Sequence, residues 1–180
     1  GGWHESVIPQ ITGDVPRGGY AYLAAAVKEA VKIPVAVSNR INDPVLAEKL
    51  LATGAADLVS VGRPMIADPD WANKARDGQL DEIRRCVACN QGCLAKTFFS
   101  RPIECLVNGM AGREYELSEL PTQAPKRILV VGAGPAGCEF AIQAARRGHR
   151  VQLWEKEKEI GGQLDLVAAP PGKGEFKTLA

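Results

Sequence analysis

The sequence has no excess of either charge, with 22 Lys and Arg residues against 21 Asp and Glu residues. This near balance gives no indication of binding to nucleic acid or to an anionic membrane surface. There is also no apolar run long enough to span a bilayer and no cleavable leader, so we expect a cytoplasmic protein without a membrane span. The chain does not begin with methionine, and residues 1–6 read as the middle of a longer sequence, which predicts an internal fragment.

Cysteines are few but strongly clustered, with four of the five inside twenty residues. Cys86, Cys89, Cys93 and Cys105 are separated by two, three and eleven residues. Four thiolates can hold a [4Fe-4S] cluster or a structural zinc ion. Three cysteines within eight residues favour the cluster, because zinc sites more often show two separate pairs. Disulfides are disfavoured by the odd cysteine count and by the absence of a signal peptide.

The first eighty residues alternate between helical and extended patterns with short loops between them. Repeated strand–helix units of this kind predict a parallel α/β fold. The predicted elements are a helix over 20–32, a strand over 33–37, a helix over 43–52, a strand over 57–61 and a helix over 68–78.

Polar residues follow both predicted strands. Asn39 and Arg40 come after the first strand, and Gly62 and Arg63 come after the second. In a barrel of eight such units, the loops after the last two strands often bind phosphate. Gly62 would let a phosphate approach the backbone, and either arginine could donate charge-assisted hydrogen bonds to it. Ordinary surface ion pairs are the alternative for the two arginines, and their position alone does not decide between these roles.

A glycine-rich turn lies between a predicted strand over 127–131 and an alanine-rich helix, and Glu155 ends the following strand. In this setting the glycines admit a pyrophosphate close to the backbone, and the acid binds ribose hydroxyls, which is typical of dinucleotide-binding domains. Gln163, which follows a pair of glycines, favours FAD over a nicotinamide cofactor. The motif comprises Gly132, Gly134 and Gly137.

In order, these stretches resemble the iron–sulfur NADH:flavin oxidoreductases related to 2,4-dienoyl-CoA reductase, old yellow enzyme and trimethylamine dehydrogenase. The resemblance covers essentially the whole chain. The three residues between Cys89 and Cys93 are similar to the dienoyl-CoA reductase branch, whereas the trimethylamine dehydrogenase branch has two there. The motifs that carry the resemblance are GWHES at 2–6, IP at 8–9, VPRG at 15–18, NRINDP at 39–44, GRP at 62–64, CVACNQGCL at 86–94, CLVN at 105–108 and VVGAGPAG at 130–137.

The resemblance implies an α/β chain made of three parts and a linker. Residues 1–80 would be the C-terminal units of an FMN-binding TIM (β/α)8 barrel, and residues 81–113 would be the [4Fe-4S] segment. Residues 114–125 would be the linker. Residues 126–180 would be the start of a Rossmann-like domain for FAD and NAD(P)H.

The resemblance also assigns roles to single residues. His4 would be catalytic as a hydrogen-bond donor or proton source, because hydride delivery to a conjugated thioester places negative charge on the carbonyl oxygen. The residues along the substrate would be Glu5, Ser6 and Val7. The residues that hold FMN and its phosphate would be Arg40, Gly62 and Arg63. The residues that hold the ADP half of FAD would be Gly132, Gly134, Gly137, Glu155 and Gln163. The cluster ligands would be Cys86, Cys89, Cys93 and Cys105.

The implied activity passes electrons from NAD(P)H through FAD and the cluster to FMN, and then reduces a conjugated C=C bond of an unsaturated acyl-CoA. Within the same family, an enoate, an enone or an amine is an alternative substrate. A non-enzymatic chain that binds structural zinc and a nucleotide is an alternative of a different class. Because about two of eight barrel units are present, we expect no turnover by the 180-residue chain alone.

Overall fold

The computed structural model describes residues 11–117 and 120–179. The chain divides into two compact units, Gly1–Gly112 and Arg113–Ala180. Each unit contains a two-stranded parallel sheet, which confirms the predicted α/β class. Among the described helices, none combines the length and the apolar character that a bilayer crossing requires.

The first unit alternates helices and strands in the order predicted from the sequence, with two additional helices, one after the second strand and one in the cysteine segment. Its elements are α1 Ala21–Ala30, β1 Ala36–Val37, α2 Pro44–Ala52, β2 Leu58–Val59, α3 Arg63–Ala67, α4 Trp71–Arg76, a 3₁₀ turn Leu80–Glu82 and α5 Leu94–Phe98.

The two strands of this unit are shorter than the predicted 33–37 and 57–61. Pro34 has no N–H and cannot extend the ladder at its start. Asn39, two residues beyond β1, leaves the extended region with a φ of 79°. Pairing is therefore confined to two positions within each predicted run. The parallel register places Ala36 opposite Leu58 and Val37 opposite Val59.

The helices that follow these strands begin at proline-containing turns. α2 begins as predicted, because Asp43 Oδ1 accepts a hydrogen bond of 3.0 Å from the Val45 N–H. α3 was not predicted, since the sequence indicated only a break after β2. Pro64 is well suited to the first turn of a helix, and the helix begins directly before it. Arg63 is consequently the first residue of a helix and not part of an extended loop.

A small hydrophobic core lies between β1 and the surrounding helices. Trp71 is its largest member and is 7% exposed, and its Nε1 donates to the Asn42 carbonyl at 3.4 Å. This contact fixes the loop after β1 to α4. The buried core residues are Val37, Ile41, Ala47, Ala56, Trp71 and Ile83.

The second unit contains a βαβ arrangement in which both strands are five residues long. The predicted strand over 127–131 is confirmed at both ends. Arg127 lies opposite Arg150, and the parallel register continues to Val131 opposite Trp154. The elements are β3 Arg127–Val131, α6 Pro135–Arg146, β4 Arg150–Trp154, α7 Leu164–Ala168 and a 3₁₀ turn Gly174–Leu179.

Candidate functional site

The loops after β1 and β2 border a cavity of about 700 Å³, which we call the loop cavity. It lies at the carboxyl ends of the strands, where the sequence predicts binding. Gly62 leaves space there, because a Cβ built on it would meet no atom within 4 Å. The lining residues that matter below are Asn39, Arg40, Asn42, Gly62, Arg63 and Cys86.

Arg40 reaches this cavity through an uncommon backbone conformation. Asn39 and Arg40 have φ values of 79° and 52°, in a region that residues with a side chain rarely adopt and that recurs at functional sites. The guanidinium is buried, and its Nη1 donates to the carbonyls of Gly13, at 2.7 Å, and Val15. Arg40 therefore borders the cavity and also fastens the segment before α1. Its role in holding a phosphate stays a prediction.

All four clustered cysteines border a second cavity in the same unit, which we call the cysteine cavity. Burial raises the pKa of the Cys86 thiol, although the Ala88 N–H that donates to its sulfur at 3.4 Å and the charge of Arg63 act in the opposite direction. Burial also raises the pKa of the Cys105 thiol. A metal centre binds cysteines as thiolates, so four thiols that line one cavity would give up their protons to it.

The four cysteines line one cavity, and this donor set fits a four-iron cluster. A zinc ion with Zn–S bonds of about 2.3 Å would draw its sulfurs to about 3.8 Å from one another. Among the described residues, no group of three or more His, Cys, Asp or Glu side chains is placed to hold a single metal ion. The four thiols nevertheless surround a common space of about 310 Å³, counted with its mouth. A four-iron cluster, in which each thiolate binds a different iron, matches this arrangement.

Gly92 determines how the cysteine loop meets the segment that carries Cys105. A Cβ at Gly92 would lie 2.5 Å from the Glu104 carbonyl oxygen and 3.1 Å from the Cys105 nitrogen. The Glu104 N–H in turn donates to the Gly92 carbonyl at 2.9 Å. This backbone contact brings the fourth cysteine beside the other three.

The loop cavity and the cysteine cavity share a wall formed by Arg63 and Cys86, since both residues line both spaces. Asn42 connects the two sides, because its Nδ2 donates to the Cys86 carbonyl at 2.6 Å. Arg63 connects them a second time through a hydrogen bond from Nη1 to Asn90 Oδ1. The two cavities are thus neighbouring sites joined by hydrogen bonds.

Sequence reasoning missed Asn42, Asn90 and Gly92 as functional positions. Asn42 stands inside the NRINDP motif, while Asn90 and Gly92 stand between Cys89 and Cys93. Their position inside these motifs is the signal that could have identified them, but their partners come from distant parts of the sequence.

In the second unit the glycine-rich turn has the predicted close contacts. A Cβ at Gly137 would lie 2.0 Å from the Gly132 carbonyl oxygen, so the start of α6 can pack on the turn only with glycine there. Gly132 itself has a φ of 99°. The turn borders an open cavity of about 840 Å³ lined by Gly132, Gly134, Pro135, Ala136, Gly137, Gly162, Gln163, Leu164 and Val167.

Glu155 lies beside this turn at the end of β4. Its Oε2 accepts a hydrogen bond of 2.7 Å from the Ala133 N–H, and its Oε1 accepts from the Lys156 and Glu157 N–H groups at 2.7 and 3.0 Å. The N–H groups of Glu157, Ala133 and Lys156 lower the pKa of this carboxyl. An ionised acceptor is therefore held at the turn, which is what binding of ribose hydroxyls requires.

The predicted catalytic and substrate-binding residues His4, Glu5, Ser6 and Val7 lie outside the described residues. Their roles stay predictions, as does the role of each cofactor-binding residue named above.

Residues 7–82 match the NADH:flavin oxidoreductase / NADH oxidase family, and residues 127–174 match the FAD dependent oxidoreductase family. Residues 7–82 therefore belong to the NADH:flavin oxidoreductase family. The predictions of a match to FMN- and FAD-binding oxidoreductase families, and of a chain that covers the end of one domain and the start of the other, are confirmed. The four clustered cysteines fall between the two matched regions.

Several relatives of the chain extend well beyond it. A metal reductase of Desulforamulus reducens is 56% identical over 99% of the chain and 27% of the relative. An NADH oxidase of Thermoanaerobacter brockii is 48% identical over 89% of the chain and 25% of the relative. The solved complex of 2-naphthoyl-CoA reductase with 2-naphthoyl-CoA is 39% identical, with a TM-score of 0.93 over 98% of the chain and 27% of that structure. The chain thus spans about a quarter of the length of these relatives.

Proposed function

We propose that the chain is part of an iron–sulfur flavoenzyme that takes electrons from NAD(P)H and reduces a conjugated C=C bond of an unsaturated acyl-CoA. The observation that carries the proposal is the wall shared by the loop cavity and the cysteine cavity. A flavin oxidoreductase that moves electrons one at a time needs two redox sites side by side, and these cavities provide adjoining places for them. When bound, FMN, FAD and a [4Fe-4S] cluster would supply the hydride and one-electron chemistry.

The residues of the chain would bind and orient these groups. Arg40, Gly62 and Arg63 would hold FMN, and Glu155 with the glycine-rich turn would hold the ADP half of FAD. Cys86, Cys89, Cys93 and Cys105 would bind the cluster. The solved 2-naphthoyl-CoA complex supports an acyl-CoA substrate, because that protein is 39% identical to the chain. A cinnamate reductase of Clostridium sporogenes, 34% identical, supports reduction of a conjugated C=C bond.

The test of the metal centre is the iron, zinc and acid-labile sulfide content of the anaerobically purified full-length protein. We expect about four iron and four sulfide per chain and a broad visible absorbance that bleaches on reduction. One zinc ion with no sulfide would contradict the proposal and favour a structural zinc site. Steady-state reduction of a dienoyl-CoA with NADH or NADPH then tests the substrate.

A second candidate activity is the reduction of a metal ion, and the specific observation in its favour is the 56% identity to the metal reductase. The two candidates differ in their need for a proton donor near the substrate. We infer that His4 supplies that donor for C=C reduction. His4→Gln should slow the reduction of a dienoyl-CoA by about 10²-fold or more and leave the reduction of a chelated ferric ion by the same enzyme unchanged. Equal loss of both activities would contradict this role.

A further inference from the structure

Arg63 occupies a position between two sites that the sequence could not reveal. Its side chain is only partly exposed, and it lines both the loop cavity and the cysteine cavity. Among the described residues, its Nη1 donates to the Ile11 carbonyl at 2.7 Å and to Asn90 Oδ1. These two hydrogen bonds hold the guanidinium in the wall between the cavities.

Asn90 is the residue that holds it there. It is 9% exposed, lies between Cys89 and Cys93, and has a φ of 60°. While its Oδ1 accepts from Arg63, its Nδ2 donates to the Ile11 carbonyl at 3.4 Å. The three residues close a small hydrogen-bonded ring, so the position of the charge depends on the conformation of the cysteine loop.

Arg63 lines the same cavity as the four cysteines, so its charge lies beside any group that they bind. A partly buried cation is screened less by solvent than a surface charge, so its field reaches neighbouring groups. Reduction of a bound cluster adds one negative charge, and a fixed positive charge beside it stabilises the reduced form.

We propose that Arg63, positioned by Asn90, raises the reduction potential of the cluster bound by the four cysteines. This inference rests on the proposed function, because it requires the cluster. It differs from the predicted contact with the FMN phosphate, since both observed hydrogen bonds of Arg63 go to the N-terminal segment and the cysteine loop.

The cysteine loop is also held by hydrogen bonds that do not involve Arg63. The charge of Arg63 can therefore be removed without releasing the loop. Asn42 Nδ2 donates to the Cys86 carbonyl at 2.6 Å without involving Arg63. The backbone pairing of Gly92 with Glu104 is also independent of it. Arg63→Gln should therefore remove the charge while the loop still binds its cluster.

The experiment compares five forms of the full-length protein, purified anaerobically: the wild type, Arg63→Gln, Arg63→Lys, Asn90→Leu and Arg101→Gln. Arg101 is the matched control, because it is an exposed arginine of the same cysteine segment. Iron and sulfide content reports cluster binding, and a redox titration followed by electron paramagnetic resonance reports the midpoint potential. We expect Arg63→Gln to keep its iron and to lower the equilibrium constant of one-electron reduction about tenfold, or about 59 mV.

The other variants should separate charge from structure. Arg63→Lys retains a positive charge, so its potential should stay close to that of the wild type, as should that of Arg101→Gln. Asn90→Leu releases the guanidinium without removing it and should shift the potential in the same direction as Arg63→Gln. If Arg63→Gln loses its iron, Asn90→Leu provides the same test.

Three outcomes would overturn the inference. The first is a potential equal to that of the wild type in Arg63→Gln with full iron content. If Arg63→Gln has lost its iron, the same result in Asn90→Leu with full iron content counts instead. The second is an equal shift in Arg101→Gln, which would indicate a general effect of net charge. The third is a wild type without iron and sulfide, which alone among these results would also reject the proposed function.

Discussion

At the scale of single residues, glycine at position 92 allows the cysteine loop to contact the backbone of Glu104 and Cys105. Gly92→Ala would place a Cβ 2.5 Å from the Glu104 carbonyl oxygen, which is backbone and cannot rotate away. We expect a loss of about 1–3 kcal/mol in stability and an iron content well below that of the wild type. Gly109→Ala is the matched control, because a Cβ there would meet no atom within 4 Å. Equal iron in both variants would show that the contact does not matter.

Glu155 is the second residue whose role can be tested by one substitution. Glu155→Gln removes the negative charge of this side chain. It also replaces one carboxylate oxygen, which accepts from the N–H of Ala133 or from those of Lys156 and Glu157, with an NH₂ group that can only donate. We expect the affinity for ADP, used as a probe of the FAD site, to fall at least tenfold in a calorimetric titration. Glu159→Gln, an exposed acid in the same segment, should bind ADP as the wild type does. Unchanged binding by Glu155→Gln would remove this residue from the site.

At the scale of elements, Asp68 joins the end of α3 to the next two segments. Its carboxylate is buried, and it accepts hydrogen bonds from Lys74 Nζ at 2.7 Å and from the N–H groups of Arg84 and Asp70 at 2.9 and 3.1 Å. Burial alone would raise the pKa of Asp68, but the hydrogen bonds outweigh it and lower the pKa below its ordinary value of 3.8. The ionised form is therefore the one that the fold stabilises.

The sign of this shift predicts how stability depends on pH. A carboxyl with a lowered folded-state pKa contributes stability that is fully present above pH 3.8 and is lost as the pH falls through the folded value. The difference in unfolding free energy between the wild type and Asp68→Asn should be constant from pH 7 to about pH 5 and should shrink below pH 3.8. Urea unfolding followed by circular dichroism measures it. A constant difference for Asp68→Asn down to pH 3 would contradict the assignment.

The elements also show which parts of the structure could be predicted from sequence. The glycine-rich turn and strand β3 were predicted correctly because their signals are local, lying within a single strand–turn–helix unit. The strands β1 and β2 were predicted too long, because apolar runs indicate burial but do not reveal where hydrogen-bonded pairing ends. Helix α3 was missed because Pro64 was interpreted as a break.

The joining of the two cavities could not be predicted for a physical reason. The hydrogen bond from Asn42 to Cys86 connects residues 44 positions apart, and that from Arg63 to Asn90 connects residues 27 positions apart. Such contacts depend on how β1, β2 and the cysteine segment pack together. No local pattern around either asparagine encodes its partner.

At the scale of the whole molecule, the chain covers 27% of the Desulforamulus reducens relative. The described part of the first unit has two paired strands, whereas the (β/α)8 barrel predicted from the sequence would have eight. We expect the isolated 180-residue chain to show no sustained NADPH-dependent reduction of a dienoyl-CoA, even after iron and sulfide are reconstituted. The full-length protein in the same spectrophotometric assay is the control. Multiple turnovers by the isolated chain would show that a quarter of the relatives' length is sufficient for catalysis.

The bond between Asn42 and the Cys86 carbonyl also has a consequence for the order of maturation. It joins residues 44 positions apart, and Asn42 is itself held by Trp71, whose Nε1 donates to the Asn42 carbonyl. Contacts between distant residues form late, because the entropy of loop closure must be overcome before they add stability. We expect the polypeptide to fold before it binds iron and sulfide, with the cysteines already placed around their cavity. Newly made protein should therefore pass through a folded, colourless form. Pulse-labelled protein that becomes protease-resistant only after iron is supplied would show the reverse order.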